Sequence, residues 1–296
     1  MGLITLTTDF GTEDWFVGTM KGVVLGVNRG AEIVDITHGI PPGDVRAGAF
    51  ALAAACRFFP RGTVHLAVVD PGVGSERKAI AVRTKDYFFV GPDNGLLSWA
   101  LAKESVLAVH RLENSRFFLP DVSRTFHGRD VFAPVAAHLS KGLPIGKLGP
   151  RVPSYEKLSV PSPTQRRGQL VGEIIYIDRF GNVITNISRQ DLGSWRADVS
   201  QNQCVSTNHR SAKHRATRRT TLCAPLRDSS EASAVQVKLA TRKQLIPLAS
   251  FYDAVRQGQP LALIGSGDFL EIAINGGSAA ERLDLEIGDR VIICAK

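Results

Sequence analysis

The sequence is short of cysteine, of aromatic residues and of long apolar runs. Four cysteines among 296 residues, Cys56, Cys204, Cys223 and Cys294, lie far apart and form no CxxC pair. That argues against a disulfide-stapled module and against a thiolate metal site, and it suits a reducing cytoplasm. No apolar run approaches the roughly 20 residues that a membrane helix needs, so no membrane association is expected. The stretch from Met1 to Asp9 has no basic n-region and meets an acid early, so no signal peptide is expected, and Leu6 breaks the myristoylation pattern. The nucleophile elbow, the Walker phosphate loop and the GxGxxG turn are all missing. Acyl transfer, phosphoryl transfer and Rossmann dinucleotide chemistry therefore lack their signatures. Sparse aromatics (7%) with 28 glycines fit an α/β enzyme, and the length allows one large or two medium domains with ample core.

A broadly basic surface is also missing, despite the net charge of +8. Residues 196–243 hold ten Lys/Arg against three Asp/Glu, whereas the rest of the chain is almost neutral, with 26 against 25. The segment from about 197 to 234 is polar, aperiodic and poor in large apolar residues, and it reads as a basic loop. No aromatics are interleaved in it for base stacking, so nucleic acid is not an expected partner.

Strand-like and helix-like runs alternate through the first half. Leu3–Thr7, Ala31–Ile36 and Thr63–Val69 read as strands, and Trp15–Val27 and Val45–Phe58 as helices, the second capped by Asp44. Strands at Ala79–Arg83 and Tyr87–Val90 follow, then helices at Leu96–Ala102 and Val131–Leu139. This alternation predicts an α/β N-terminal domain over 1–150 with a wound central sheet. Prolines at 150, 153, 161 and 163 mark a linker over 151–167. Beyond it, short β-like runs from Val171 to Cys294 predict a smaller, mostly-β, barrel-like C-terminal domain over 168–296, interrupted by the basic loop.

Ligands of wound sheets sit off the carboxyl ends of strands, where Asp9 and Asp70 both fall. Asp70 opens the turn Pro71-Gly72-Val73-Gly74, and Arg77 stands seven residues on. The pair can face each other across that turn, although on the turn alone a hairpin with a surface ion pair explains it equally. Asp9, Asp14, Asp44 and Asp70 with His38 and His127 could hold a divalent metal, but no HxH, HxxxH or DxD spacing occurs. A carboxylate at a strand end can equally take both hydroxyls of a ribose. Helix capping is the plain alternative for Asp14 and Asp44. Asp178-Arg179-Phe180-Gly181-Asn182 has the composition of a tight turn, yet Asn can read an adenine edge and Phe offers a stacking face.

Several strings occur together and in order: Thr7-Thr8-Asp9-Phe10-Gly11-Thr12, Ile40-Pro41-Pro42-Gly43-Asp44-Val45, Val69-Asp70-Pro71-Gly72-Val73-Gly74, Pro92-Asp93-Asn94-Gly95-Leu96, Phe126-His127-Gly128-Arg129-Asp130, Asp178-Arg179-Phe180-Gly181-Asn182 and Leu270-Glu271-Ile272-Ala273. Jointly they resemble the S-adenosyl-L-methionine (SAM) hydroxide adenosyltransferases, sister enzymes of the SAM-dependent fluorinase and chlorinase. The resemblance covers nearly the whole chain outside residues 196–243.

It implies a homotrimer that binds SAM between the N-terminal domain of one subunit and the C-terminal barrel of its neighbour, with no cofactor and no metal. By the same resemblance Asp9 takes the ribose diol with Asp14 nearby, Asp178 the methionine ammonium and Ser266 the methionine carboxylate. Phe180 packs on the ligand, and Asn182 with the Ser278-Ala279 backbone meets the adenine. Halide-using relatives carry Tyr at the position of Asp70, and the fluorinase carries Ser at the position of Gly128. The fluorinase also has an inserted loop, absent here between Arg77 and Asp93, and the halogenases have Ser-Arg where this chain has Ser266-Gly267. An Asp–Arg–His set, matched by Asp70, Arg77 and His127, marks the hydroxide enzymes. In that set an Asp–His pair would accept the proton of an attacking water and Arg77 would aim the developing hydroxide. Halide transfer, a metal-dependent nucleotide hydrolase and a SAM- or nucleic-acid-binding module without turnover are the rival readings.

Overall fold

Leu3–Thr8 forms the first strand, β1, buried along nearly its whole length because it runs through the middle of a sheet. A computed structural model describes residues 2–159, 161–166, 168–208, 235–239 and 245–295. Within it the chain forms two compact units that divide at Ser159.

The first unit adds α1 (Phe16–Val27), β2 (Glu32–Thr37), α2 (Val45–Ala55), β3 (Val64–Val68), β4 (Ala79–Thr84), β5 (Phe88–Pro92), α3 (Ser98–Leu101), β6 (Val106–Arg111) and α4 (Ala133–Ser140). Its six strands lie in the order β2-β1-β3-β5-β4-β6. The first four run parallel, and β4 is antiparallel to both neighbours. The wound α/β sheet expected here is therefore present, mixed at one edge. Side chains alternate across it. Ile4, Leu6, Val64, Leu66 and Val68 join one core with Met20 and Val24 of α1 and Val135, Ala136 and Leu139 of α4. Thr5 and His65, on the opposite face, are fully buried too, so both faces are covered as parallel sheets require.

His65 shows what that burial does. Its Nδ1 shares a 2.8 Å hydrogen bond with Thr5 Oγ1, and burial pushes the imidazole down to about 3. The unfolded chain takes up that proton near pH 6.5. Between the two values only the unfolded state is protonated, so stability is full above about pH 6.5 and falls as pH drops. By pH 5 this one group removes about 2 kcal/mol. Urea unfolding at pH 7 and pH 5 is expected to show His65→Phe losing less stability than the parent by that amount.

Three expectations change in this unit. α2 stops at Ala55, and Cys56–Phe58 continue as a 3₁₀ turn. β6 is an additional strand that pairs with β4, and its His110 also bridges Arg151. Residues 151–158, expected as a linker, lie along the unit: Val152 N donates to Val109 O, Glu156 N to Asp93 Oδ1 and Leu158 N to Ser98 Oγ.

The second unit contains β7 (Thr164–Arg166), β8 (Gln169–Ile177), β9 (Val183–Ser188), α5 (Arg189–Asn208), β10 (Val235–Leu239), β11 (Leu245–Pro247), β12 (Pro260–Ile264), β13 (Phe269–Ile274), α6 (Ala279–Leu283) and β14 (Arg290–Ala295). All named strands pair antiparallel, in the order β11-β10-β14-β8-β9-β13-β12, with β7 on β8. Ile174, Val183, Ile187, Val237, Ile272 and Ile293 lie in one core with Trp195.

Residues 197–208, expected in the basic loop, are helical instead. Ser188 and Asp191 start α5 as a reciprocal cap: Asp191 N donates to Ser188 Oγ, and Ser188 N to Asp191 Oδ2. Trp195 then anchors the helix, fully buried with its Nε1 on Gly168 O. The rest of the basic segment, 209–234, with Cys223, lies outside the described residues.

Candidate active site

β1 and β3 are neighbours, yet the chain leaves β1 for β2 on one side and reaches β3 on the other. Such a reversal opens a crevice at the carboxyl ends of the two strands. Asp9 follows β1 directly and Asp70 follows β3, so the topology places both acids at that crevice.

The segment after β3 is not a hairpin, because β3 pairs with β1 and β5 while β4 pairs with β5 and β6. It is a compact turn in which Val73 N donates to Asp70 O and Ser75 N to Gly72 O. Gly74 has φ +78°, and a Cβ there would lie 2.4 Å from the carbonyl oxygen of Arg124. Only glycine permits that approach, which lays the turn against the loop that leads to His127. Asn94 Nδ2 braces the turn's start by donating to Val69 O at 2.9 Å.

Asp70 and Arg77 do form a pair, but not on the surface: their side chains are 5% and 10% exposed. Arg77 Nε donates to Asp70 Oδ1 at 2.9 Å, and Nη2 donates to Oδ2, closing a two-pronged fork. The same Nη2 meets His127 Nδ1 at 2.8 Å, and the guanidinium lies over the Phe132 ring. His127 itself sits where the chain enters a wide π-type turn, Gly128–Phe132, ahead of α4. Turns of this kind are frequent at functional sites.

The chemistry of the fork assigns the imidazole. A guanidinium only donates, so His127 Nδ1 is the acceptor, and the neutral ring carries its proton on Nε2. Burial, reinforced by the charge of Arg77, pushes the imidazole below its ordinary value despite the opposing charge of Asp70. The expectation of an Asp–His pair thus changes in form. Arg77 stands between the two, its guanidinium hydrogen-bonded to both.

A hollow of about 420 Å³ opens beside this set, lined among others by Asp9, Phe10, Phe16, Asp70, His127 and Gly128. Arg77 does not line it, so the guanidinium orients Asp70 and His127 from behind. Asp9 Oδ2 accepts from Gly43 N at 2.8 Å, and among the described residues its other carboxylate oxygen has no donor. Gly128 is packed tightly: a Cβ there would stand 3.2 Å from Phe126, 3.3 Å from Met20 and 3.4 Å from Phe10. Asp14 is exposed on the loop before α1 and does not line the hollow. It does not cap that helix either, whereas Asp44 caps α2 through Ala47 N at 2.9 Å.

The remaining candidates lie in the second unit. Asp178 Oδ1 accepts from Phe180 N at 2.8 Å and Asn182 N at 2.9 Å, and Oδ2 accepts from Asn182 Nδ2 at 3.0 Å. Asp178 therefore builds its own turn. Phe180, at its tip, is 77% exposed, and Asn182 is buried. Ser278 caps α6 through Glu281 N, Ala279 is fully buried, and Ala280 N donates to Gly181 O at 3.0 Å. A Cβ at Gly181, where φ is +76°, would lie 2.1 Å from Ser278 Oγ and 2.9 Å from its Cα. Gly181→Ala is therefore expected to part this turn from α6 and to destabilise the unit by about 2 kcal/mol, read from urea unfolding.

Ser266 occupies an exposed turn between β12 and β13, apart from the Asp178 turn in sequence. Sequence reasoning missed Glu271 as a site candidate. It is 7% exposed, accepts from the Tyr252 hydroxyl at 2.5 Å, and its Oε2 fills the space where Gly265, next to Ser266, would carry a Cβ. Burial pushes its carboxyl up against the lowering effect of Tyr252, and the charge of Asp178 adds to the rise. A lone acid inside the apolar run Leu270-Glu271-Ile272-Ala273 was the available signal.

Comparison with known proteins matches this architecture to one family. Models for the SAM hydroxide adenosyltransferase N-terminal and C-terminal domains match residues 4–149 and, in two overlapping segments, 172–221 and 217–292. The chain belongs to the SAM hydroxide adenosyltransferase family. It is 37% identical over 295 residues to the (R)-S-adenosyl-L-methionine hydrolase of Salinispora tropica, covering 99% of this chain and 97% of that protein. It is 35% identical over 288 residues to the enzyme of the same name from Thermus thermophilus, covering 95% of each. A fluorinase from Actinoplanes is 31% identical over a shorter stretch, 64% of this chain and 73% of that protein. The crystal structure of an uncharacterized conserved protein from Thermotoga maritima superposes with a TM-score of 0.82 at 36% identity, covering 99% of both chains.

Proposed function

We propose that this chain hydrolyses S-adenosyl-L-methionine to adenosine and L-methionine, by attack of water at C5′ of the ribose. The observation that carries the reading is the buried Asp70 carboxylate, clamped by Arg77 and flanked by His127, at a hollow that Asp9 also lines. Family membership and the hydrolase relatives supply the substrate and the reaction class.

The chemistry asks little of the protein at the leaving group, because a sulfonium departs as neutral thioether and needs no proton. Water is the weak partner. Asp70 accepts a hydrogen bond from it and takes its proton as the C5′–O bond forms, a task worth about 10²–10⁴ in rate. His127 Nε2–H supplies the second hydrogen bond and fixes the water's oxygen. Arg77 holds both groups in place and offsets the charge of Asp70, so the nucleophile sits pre-aligned. Asp9 offers its free oxygen to the ribose diol. Asp178, Phe180, Asn182, Ser266, Ser278 and Ala279 take the methionine and adenine ends, and Asp14 the outer side of the nucleoside. A buried carboxylate at the nucleophile position repels a halide, which disfavours the fluorinase-type reaction.

The same reading has the protein as a homotrimer in the cytoplasm, with each SAM shared between neighbouring subunits and with no metal required. Exposed aromatics beside the polar clusters, Trp15 at 69% and Phe180 at 77%, support shared sites. The bridge from Leu248 to Ala262, which ties the segment after β11 to β12, supports closure of the second sheet into a barrel. Incubation with SAM in chloride-free and in chloride buffer, with and without EDTA, tests the reaction. Adenosine and methionine in equal amounts throughout are expected. Chloride-dependent 5′-chloro-5′-deoxyadenosine, loss of activity in EDTA, or binding without products would refute it.

A further inference from the structure

The two loops that frame Asp9 meet on one buried histidine that the reaction does not use. His38 is 6% exposed and does not line the hollow. Its Nδ1 lies 2.8 Å from Thr8 Oγ1, and its backbone oxygen accepts from Gly11 N at 2.9 Å. Thr8 and Gly11 bracket Asp9-Phe10, so His38 grips that loop on both sides. Thr8 Oγ1 in turn accepts from Phe10 N at 3.3 Å. Across the ring, Nε2 approaches Asp35 Oδ1 at 3.1 Å, off the line of a good hydrogen bond, and Lys21 Nζ meets Asp35 Oδ2 at 2.6 Å.

These contacts have one direction. The Asp35 carboxylate favours the proton on Nε2, which leaves Nδ1 free to accept from the Thr8 hydroxyl. That hydroxyl then presents its lone pairs to Phe10 N–H. A hydroxyl, an imidazole and a carboxylate in a row resemble a nucleophile set, but Thr8 is fully buried, so it attacks nothing.

We propose that His38 is a positioning residue that sets the aim of Asp9 at a vicinal diol, with Asp35 selecting the tautomer and Thr8 carrying the constraint. The proposal rests on the assignment of Asp9 to the ribose. Because Asp9 is tied to Gly43 N through one oxygen only, rotation of the 8–11 loop turns its other oxygen away from the diol. Loss of the His38 grip therefore erodes selectivity for the diol more than overall nucleoside binding.

Calorimetric titration with adenosine and with 2′-deoxyadenosine tests this in the full-length protein. The parent is expected to prefer adenosine by about tenfold or more, the yield of one charge-assisted hydrogen bond. His38→Ala is expected to reduce that preference to about twofold, with weaker but measurable binding of both. His38→Asn, whose amide oxygen can still accept from Thr8, is expected to retain most of it. Thr8→Val, nearly isosteric but unable to donate, is expected to behave like His38→Ala and serves where the alanine variant fails to fold. Equal weakening toward both nucleosides in His38→Ala or Thr8→Val, with the preference intact, overturns the proposal. An absent preference in the parent instead removes Asp9 from the diol, and the proposal falls with it.

Discussion

Asp70→Asn is expected to lower kcat for adenosine release by about 10³-fold, the middle of the range for a lost general base. Substrate affinity is expected to stay within about threefold, because the acid acts on water and not on SAM. Asparagine keeps the shape and can still accept from one arm of the Arg77 fork, but it has no basic oxygen to take the proton. Asp70→Ala should be equally inactive. Product assay by chromatography, with SAM binding by calorimetry, separates the two effects. Turnover within about tenfold of the parent contradicts the assigned role.

Arg77→Ala is expected to act on stability as strongly as on rate. It leaves the Asp70 carboxylate, 5% exposed, without its two donors, and it also strips His127 Nδ1 of its partner. Removing one member of a buried pair costs about 3–5 kcal/mol. For a unit of this size that lowers the unfolding midpoint by on the order of 10 °C. Arg77→Lys keeps the charge but not the planar fork, so most of the activity is expected to be lost with less of the stability. Calorimetric melting of both variants checks the ordering. A midpoint in Arg77→Ala within about 2 °C of the parent would mean that Asp70 is not held as a buried ion pair.

Local patterning made the first unit legible in the sequence. Continuous apolar strands, short loops and an aspartate at two strand ends located the crevice, because a wound sheet places its ligands there. What stayed hidden depended on contacts between distant residues. The Asp70–Arg77 stretch reads as a hairpin until β5 is seen between β3 and β4. Nothing in the sequence physics brings His127, fifty positions away, to the arginine, and only the family resemblance joined them. Even that resemblance did not show Arg77 standing between the acid and the imidazole.

In the second unit the misses were of another kind. The cap Ser188-Arg189-Gln190-Asp191 announces α5, as Ser278-Ala279-Ala280-Glu281 announces α6. High polarity outweighed the first signal and the shortness of α6 hid the second. Glu271 was passed over because an isolated acid in a strand carries no spacing pattern, although its burial against Tyr252 makes it chemically distinct.

The central claim, water attacking C5′ of SAM, is tested most directly by turnover in ¹⁸O-water followed by mass spectrometry of both products. The account predicts one heavy oxygen in the 5′-hydroxyl of adenosine and none in methionine. Unlabelled adenosine, or a nucleoside without a 5′-hydroxyl, would contradict it.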